Sequence, residues 1–350
     1  MRRKWLALAA LVAAFALVAA ACGGNNDTSG GGNGDAARAP DCLNFADLYA
    51  LIGPESEGFD NWSDAEALAQ QVDGLDSYPD APLTITAPGE ESGTYDSFIE
   101  LALAGVAETR LESGDITEDQ VETTRPDYQA SPNDNVIIEG IAGSEASLGW
   151  VGFSFYEQNR DVVRAIEIDG GDGCVEPTVE TIGDGSYPIS RSLYIYVNTA
   201  KAADNPALQA FVDFYLTDAG IRESVSEVGY VTLPDDRIAA TQATWESEGP
   251  GTDTSGDLSG ELFMSGSSTV EPISALVAEL FNADHPDVAI NVEGPGTGDG
   301  FELFCNGETD ISDASRQIKD EEAAACADTG IEYVELEVGI DGISVLTQAG

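Results

Sequence analysis

Histidine and lysine are almost missing from this 350-residue chain, which has one histidine, His285, and three lysines, Lys4, Lys201 and Lys319. A single imidazole, set in the polar turn Asn282 to Pro286, argues against a His-dependent catalytic triad and against a His-metal centre. Basic residues of both kinds number 14 against 64 acidic ones, giving a formal charge of -50. That balance excludes nucleic acid as a partner, because binding a phosphate backbone takes lysine and arginine. No CxxC pair is present, and neither HxH nor HExxH occurs.

The first residues, Met1-Arg2-Arg3-Lys4, form a basic patch before the apolar run Trp5 to Ala21. Charge, a short apolar run and small residues form the layout of a secretory signal peptide, residues 1–21, and the run is short for a membrane span. Cys22 and the Gly/Asn/Ser/Asp stretch after it resemble a bacterial lipoprotein signal, in which the cysteine is acylated and becomes the mature N-terminus. Leucine usually stands three places before that cysteine; here it is Ala19. Residues 22–40 then read as a flexible tether, and the protein is expected to be exported and lipid-anchored to the outer face of the cell membrane.

Without Cys22, four cysteines remain: Cys42, Cys174, Cys305 and Cys326. An even number in an oxidising compartment points to two disulfides, with three connectivities open. The acidic, lysine-poor composition suits solubility in high salt, and a repulsive global field means that any anionic ligand must be held by short-range donors inside a cleft.

Short β-branched and aromatic runs alternate with helix-period segments, the pattern of an α/β protein with mostly parallel strands. Strands are expected at Leu83 to Thr86, Asn135 to Ile141, Val162 to Ile168, Leu193 to Asn198, Val288 to Val292 and Ile340 to Leu346. Helices are expected at Pro272 to Asn282, where Ile273, Leu276, Val277, Leu280 and Phe281 share a face, and at Pro206 to Leu216. Residues 246–260, polar and Gly-rich, read as a linker.

Three hydroxyl- and glycine-rich loops precede helical stretches: Ser265 to Val270, Gly294 to Gly300 and Ser92-Gly93-Thr94. A helix N-terminus attracts anions through its dipole and unpaired N–H groups, although such clusters are also ordinary N-caps. A fourth segment, Thr309 to Arg316, puts Asp313, Ser315 and Arg316 at a strand end.

The stretches GSSTVEPIS, GPGTGDGFELFCNGETDISDASR and APGEESGTYDSF together resemble the ligand loops of the periplasmic phosphate-binding protein family of ABC phosphate importers (PstS-like). The resemblance extends to DCLNFADLYALIG, GDGCVEPTVETI and AFVDFYLTDAGIRESVSEVGYVTLPDD. It implies a two-lobed periplasmic-binding-protein-like fold of type II with a hinge. It also implies phosphate contacts from Ser268, Thr269, Thr297, Asp313, Ser315, Arg316, Ser92, Gly93 and Thr94. Cofactors and metals are not expected; the partners implied are inorganic phosphate and the permease subunits of an ABC importer, met by a monomer. The cysteines fit the same fold as Cys305–Cys326 and Cys42–Cys174. Better-known members carry an arginine where this chain has Pro88, and Arg316 is expected to supply the guanidinium instead, oriented by Glu90 or Glu91.

Phosphate keeps at least one proton at neutral pH and sulfate keeps none. A buried carboxylate at Asp313 accepts a hydrogen bond from that proton, and a site built around such a bond rejects analogues lacking it by about 10⁴–10⁵-fold. The segment order departs from the family, since the GSSTV half follows the DCLNFADLY half. The resemblance therefore implies a circular permutation cut near the hinge, with lobes at 41–188 and 189–350. The competing readings are a receptor for another oxyanion and a secreted phosphatase using Ser268 or Thr269. Trp62, Trp150, Trp245 and Tyr95 are expected in the core or on a lobe surface.

Overall fold

The computed structural model describes residues 38–350. The expected signal peptide, the acylation site Cys22 and nearly all of the tether lie outside the described residues. Among the described residues no helix is long and apolar enough to cross a membrane.

Among the described residues twelve strands occur, in chain order: β1 (Cys42–Asn44), β2 (Thr86–Ala87), β3 (Gln129–Ala130), β4 (Gly149–Gly152), β5 (Val163–Ala165), β6 (Glu167–Asp169), β7 (Cys174–Val175), β8 (Ser190–Asn198), β9 (Gly260–Gly266), β10 (Val288–Glu293), β11 (Ile311–Ala314) and β12 (Tyr333–Gln348). The main sheet runs β10-β9-β11-β8-β12-β4, with β5 also on β12. β9 pairs parallel with both β10 and β11, through helical crossovers of the kind parallel neighbours need. The sheet is mixed rather than mostly parallel, because β12 runs antiparallel to β8, β4 and β5, and β11 runs antiparallel to β8.

The long strand β12 holds the sheet together. Tyr333 to Gly342 pair with β8, and Ile343 to Gln348 pair with β4 and β5. From Val338 to Leu346 every residue of it is buried, as expected for a strand covered on both faces. A register shift interrupts its ladder between Glu337 and Gly339.

The helices expected at Pro272 to Asn282 and Pro206 to Leu216 are present as Glu271–Asp284 and Pro206–Tyr215. Asn135 to Ile141, expected as a strand, lies in the helix Asp134–Ala142. Its β-branched content suggested extension, but the Asn133 side chain caps the Asn135 N–H at 3.0 Å. Ile137, Ile138 and Ile141 then share one buried face while Val136 faces out, a 3.6-residue period. Of Leu83 to Thr86 only Thr86 enters a strand. Glu246 to Glu248 finish the helix Asp235–Glu248 and Gly260 opens β9, leaving 249–259 without regular structure.

Both disulfides, Cys42–Cys174 and Cys305–Cys326, form with Cα separations of 5.9 and 4.2 Å. Trp62, Trp150, Trp245 and Tyr95 are buried core residues. Trp150 stacks on Phe98 at 4.2 Å, and the indole N–H of Trp62 donates to the Ala146 carbonyl. His285 packs its ring against Phe281 at the end of the helix Glu271–Asp284.

Candidate functional site

Two glycines bring the loops of the site together. Gly266, the last residue of β9, has φ +153°, and a Cβ there would lie 2.0 Å from the Asp313 carbonyl. Gly300, one turn into the helix Thr297–Cys305, could not carry a Cβ either, since it would lie 2.4 Å from the Gly266 Cα. The backbone of β11 and the start of that helix therefore close directly onto the Gly266 turn. The Gly296 N–H donates to the Gly266 carbonyl at 2.8 Å, and the Ser267 N–H donates to the Asp313 carbonyl at 2.8 Å.

Above this turn is a cavity of about 440 Å³ lined by Ser267, Ser268, Thr269, residues 294–298, Ser315, Arg316, Arg191, Asp96 and Glu100. A larger groove of about 550 Å³ lies against β9 and β10, but its ionisable groups are Glu261 and Asp310, which suit no anion.

The cavity contains an arginine that sequence reasoning missed. Arg191, on β8, donates to the Ser97 hydroxyl at 2.6 Å and to the Thr269 hydroxyl at 3.1 Å, and it is ion-paired with Glu100. Across the ladder it faces Asp341 of β12, whose carboxylate lies 3.7 Å from the Arg191 Nε. Burial pushes the Asp341 carboxyl above its usual range, and the Arg191 guanidinium opposes that shift. The Asp96 carboxyl is likewise raised by burial and pulled back by Arg191.

Most of the expected residues meet at this cavity. Ser268, Thr269, Thr297, Ser315 and Arg316 all line it. Thr297 and Ser315 share a hydroxyl–hydroxyl hydrogen bond of 3.0 Å, and the Ser315 N–H donates to Thr297 Oγ1 at 3.2 Å. Arg316 makes a two-pronged bond to Glu322, 2.8 Å on each prong, and lies over the Phe301 ring. Its orienting carboxylate is thus Glu322, six residues along the chain, rather than Glu90 or Glu91.

Asp313 lies beneath the loop, fully buried on β11, with no surface on the cavity. Its Oδ1 accepts from the Ser274 hydroxyl at 3.0 Å, while its Oδ2 is buried without a partner. Burial pushes its carboxyl up to about 7; the Ser274 bond works against this and the nearby Glu271 adds to it. Ser92, Gly93 and Thr94 do not line the cavity. Ser92 caps the helix that starts at Gly93, accepting from the Thr94 N–H, and the same helical run presents Asp96 and Glu100 instead, with Ser97 buried against Arg191. At Pro88 the carbonyl accepts a hydrogen bond from the Tyr128 hydroxyl.

A mixed sheet interleaved with helices, and an arginine that meets two hydroxyls at a cavity, define the class as an α/β protein with a candidate anion cavity. Residues 44–219 and 251–349 match the PBP superfamily domain, and the chain belongs to that superfamily. Protein SphX of Synechocystis is 39% identical over 160 residues, 45% of this chain and 43% of that one. Protein SphX of Synechococcus elongatus is 32% identical over 213 residues, 60% of this chain and 55% of its own length. The phosphate-binding protein PstS of Staphylococcus saprophyticus is 35% identical over 158 residues, 45% of this chain and 43% of its own. The chain thus spans about half the length of these relatives. Among solved structures, the phosphate-binding protein of a phosphate ABC transporter from Streptococcus pneumoniae superposes with a TM-score of 0.56 over 76% of this chain and 89% of that one. At 20% identity that likeness speaks for the two-lobed periplasmic-binding-protein fold alone.

Proposed function

We propose that this chain is an exported, lipid-anchored receptor that captures inorganic phosphate in the Arg191 cavity and delivers it to the permease subunits of an ABC importer. One observation carries the reading: a guanidinium and several loop hydroxyls converge above a buried carboxylate that still has one free acceptor oxygen. In this reading Arg191 and Arg316 hold the dianion by charge-assisted bonds. Ser268, Thr269, Thr297 and Ser315 supply neutral donors, and Asp313, beneath the loop and off the cavity surface in the structure, accepts the ligand's proton once the loops settle around the anion. Ser92, Gly93 and Thr94 join when the lobes close by a hinge motion. An incoming anion takes the place that the Glu100 carboxylate holds on Arg191. The names of the PstS relatives and of the pneumococcal structure support phosphate as the ligand. The reading is of a monomeric receptor and not a phosphatase, since the Thr269 hydroxyl meets Arg191 and Ser97 rather than a base.

The chain also reads as circularly permuted, with lobes 41–188 and 189–350. In support, the Ile166 N–H bonds to the Val345 carbonyl at 2.8 Å and the Glu167 N–H to the Asp41 carbonyl at 2.9 Å. The segments that the family order would join thus reach neighbouring residues. Export and acylation at Cys22 rest on the signal-like N-terminus.

Titration calorimetry on the phosphate-stripped protein, with phosphate and then sulfate at low and molar salt, tests the function. One-to-one phosphate binding without sulfate heat is the expected result. Binding of sulfate alone, or of neither anion, overturns it.

A further inference from the structure

The Asp313 carboxylate is the end of a buried hydroxyl chain that the site as described above does not use. Ser274 Oγ lies 3.0 Å from Asp313 Oδ1, and the Tyr215 hydroxyl lies 3.1 Å from Ser274 Oγ. The three groups come from three elements, β11, the helix Glu271–Asp284 and the helix Pro206–Tyr215, and all three residues are buried. A serine has one proton to donate. With that proton on Asp313, Ser274 must accept, and the proton it accepts is the one on Tyr215. The chain therefore runs one way: Tyr215 Oη donates to Ser274 Oγ, which donates to Asp313 Oδ1. Both lone-pair demands along it are met except at Asp313 Oδ2, which is left as a pure acceptor.

We propose that Ser274 and Tyr215 are positioning residues for anion discrimination: their hydroxyl chain engages Oδ1 and leaves the buried Oδ2 as the acceptor for a ligand's proton. The proposal rests on the phosphate reading. Its logic is that an acceptor rejects sulfate only while it remains an acceptor. Once Asp313 takes a proton of its own from solvent, Oδ2 can donate, and a fully deprotonated oxyanion becomes a suitable partner. Discrimination is thus fixed by which of the two, ligand or carboxylate, brings the proton.

The surroundings leave this balance to the hydroxyl chain. No arginine or lysine is among the groups that act on Asp313: Glu271, in the first turn of the helix that carries Ser274, pushes the carboxyl further up, and the Ser274 bond alone pulls it down. On the flanking strands its register partners are Ile195 of β8 and Gly266 of β9, neither of which can carry charge. Tyr215 is held in its neutral, donating form by burial and by the carboxylate it serves. With Ser274 removed, nothing opposes proton uptake by Asp313.

The test is the phosphate-to-sulfate affinity ratio of the full chain, measured by calorimetry from pH 5 to pH 9. It compares the native protein with Ser274→Ala, Ser274→Thr and Tyr215→Phe. In the native protein the ratio is expected to rise with pH as Asp313 ionises. Ser274→Ala moves that rise to higher pH by about one unit, which lowers the ratio about tenfold at pH 7.5. Tyr215→Phe moves it in the same direction by less, and Ser274→Thr, which keeps the hydroxyl, restores the native curve. A loss of packing alone would lower affinity for both anions together and leave the pH position of the curve in place. Should Ser274→Ala fail to fold, the displacement by Tyr215→Phe decides the matter. Curves for the folded variants that superimpose on the native one overturn the proposal while leaving phosphate capture intact; a native protein that binds no phosphate removes both.

Discussion

Two aspartates, Asp313 and Asp341, are buried to the same degree within one sheet, yet they sit in opposite electrostatic settings. Asp341 faces a guanidinium across the β8–β12 ladder. Asp313 faces a serine, with a glutamate nearby. The first arrangement fixes a charge pair and with it the direction of Arg191 into the cavity. The second leaves a carboxyl pushed up to about 7, able to change state near neutral pH. The site thus sets one buried carboxyl against a guanidinium and the other against a hydroxyl.

Arg191→Ala breaks the contrast most severely. It strands Asp341 without its counter-charge, and such a loss costs about 3–5 kcal/mol. Urea unfolding should register that loss, and phosphate affinity should fall by about 100-fold or more, since several charge-assisted bonds vanish together. Affinity within a few-fold of native would remove Arg191 from the site.

Asp313→Asn is the next largest. The folded protein holds the Asp313 proton more tightly than the unfolded chain does, because burial raises this carboxyl from about 4 to about 7. Its contribution to stability is therefore complete below about pH 4 and is lost as the pH climbs through 7. In the ligand-free protein the melting temperature should fall less between pH 5 and pH 8 in Asp313→Asn than in the native chain. The same variant should bind sulfate measurably; an unchanged slope and intact rejection would contradict the assignment.

Glu100→Gln sharpens the comparison with a smaller effect. Glu100 is about half exposed, and exposed pairs contribute about 0–1 kcal/mol. Freed from this competitor, Arg191 should bind phosphate a few-fold more tightly at low salt, with the gain fading in molar NaCl; weaker binding would show instead that Glu100 helps to shape the cavity. The least discriminating change is salt itself. Raising NaCl to molar levels should raise the melting temperature of the native chain and of Asp313→Asn equally, because a net charge of -50 acts on the whole fold rather than on either aspartate. No rise would count against an acidic surface suited to salt.

The two aspartates also mark what could be read from the sequence. Asp313 stood out in the sequence because hydroxyls, an acid and an arginine crowd into Thr309 to Arg316, but its place beneath the loop rather than on the cavity surface was not readable there. The helices with strong apolar stripes were legible for similar local reasons, whereas the disulfide pairing came from the family resemblance, since Cys42 and Cys174 lie 132 positions apart. Arg191 was not, since nothing in Ser190 to Asn198 announces it and its partners Ser97, Thr269 and Asp341 lie 94, 78 and 150 positions away. One signal was available: a charged residue opening an otherwise apolar strand in a chain so poor in basic groups, and a lone Asp341 inside an apolar run. For Arg316 only the orienting carboxylate was misplaced, because its partner Glu322 waits in the first turn of the following helix rather than at Glu90 or Glu91. Asn135 to Ile141 misled through residue type, where the Asn133 cap decides the conformation.

The strand β12 has a mechanical side. Its first stretch is knitted to β8 and its second to β4 and β5, with the register shift at Glu337 to Gly339 on the β8 side of the join. Any rotation of one flank against the other twists this ribbon, which runs through both. Arg191 faces that ribbon at Asp341, two residues short of the handover to β4, so a ligand gripping the guanidinium pulls on the torsion bar near its midpoint.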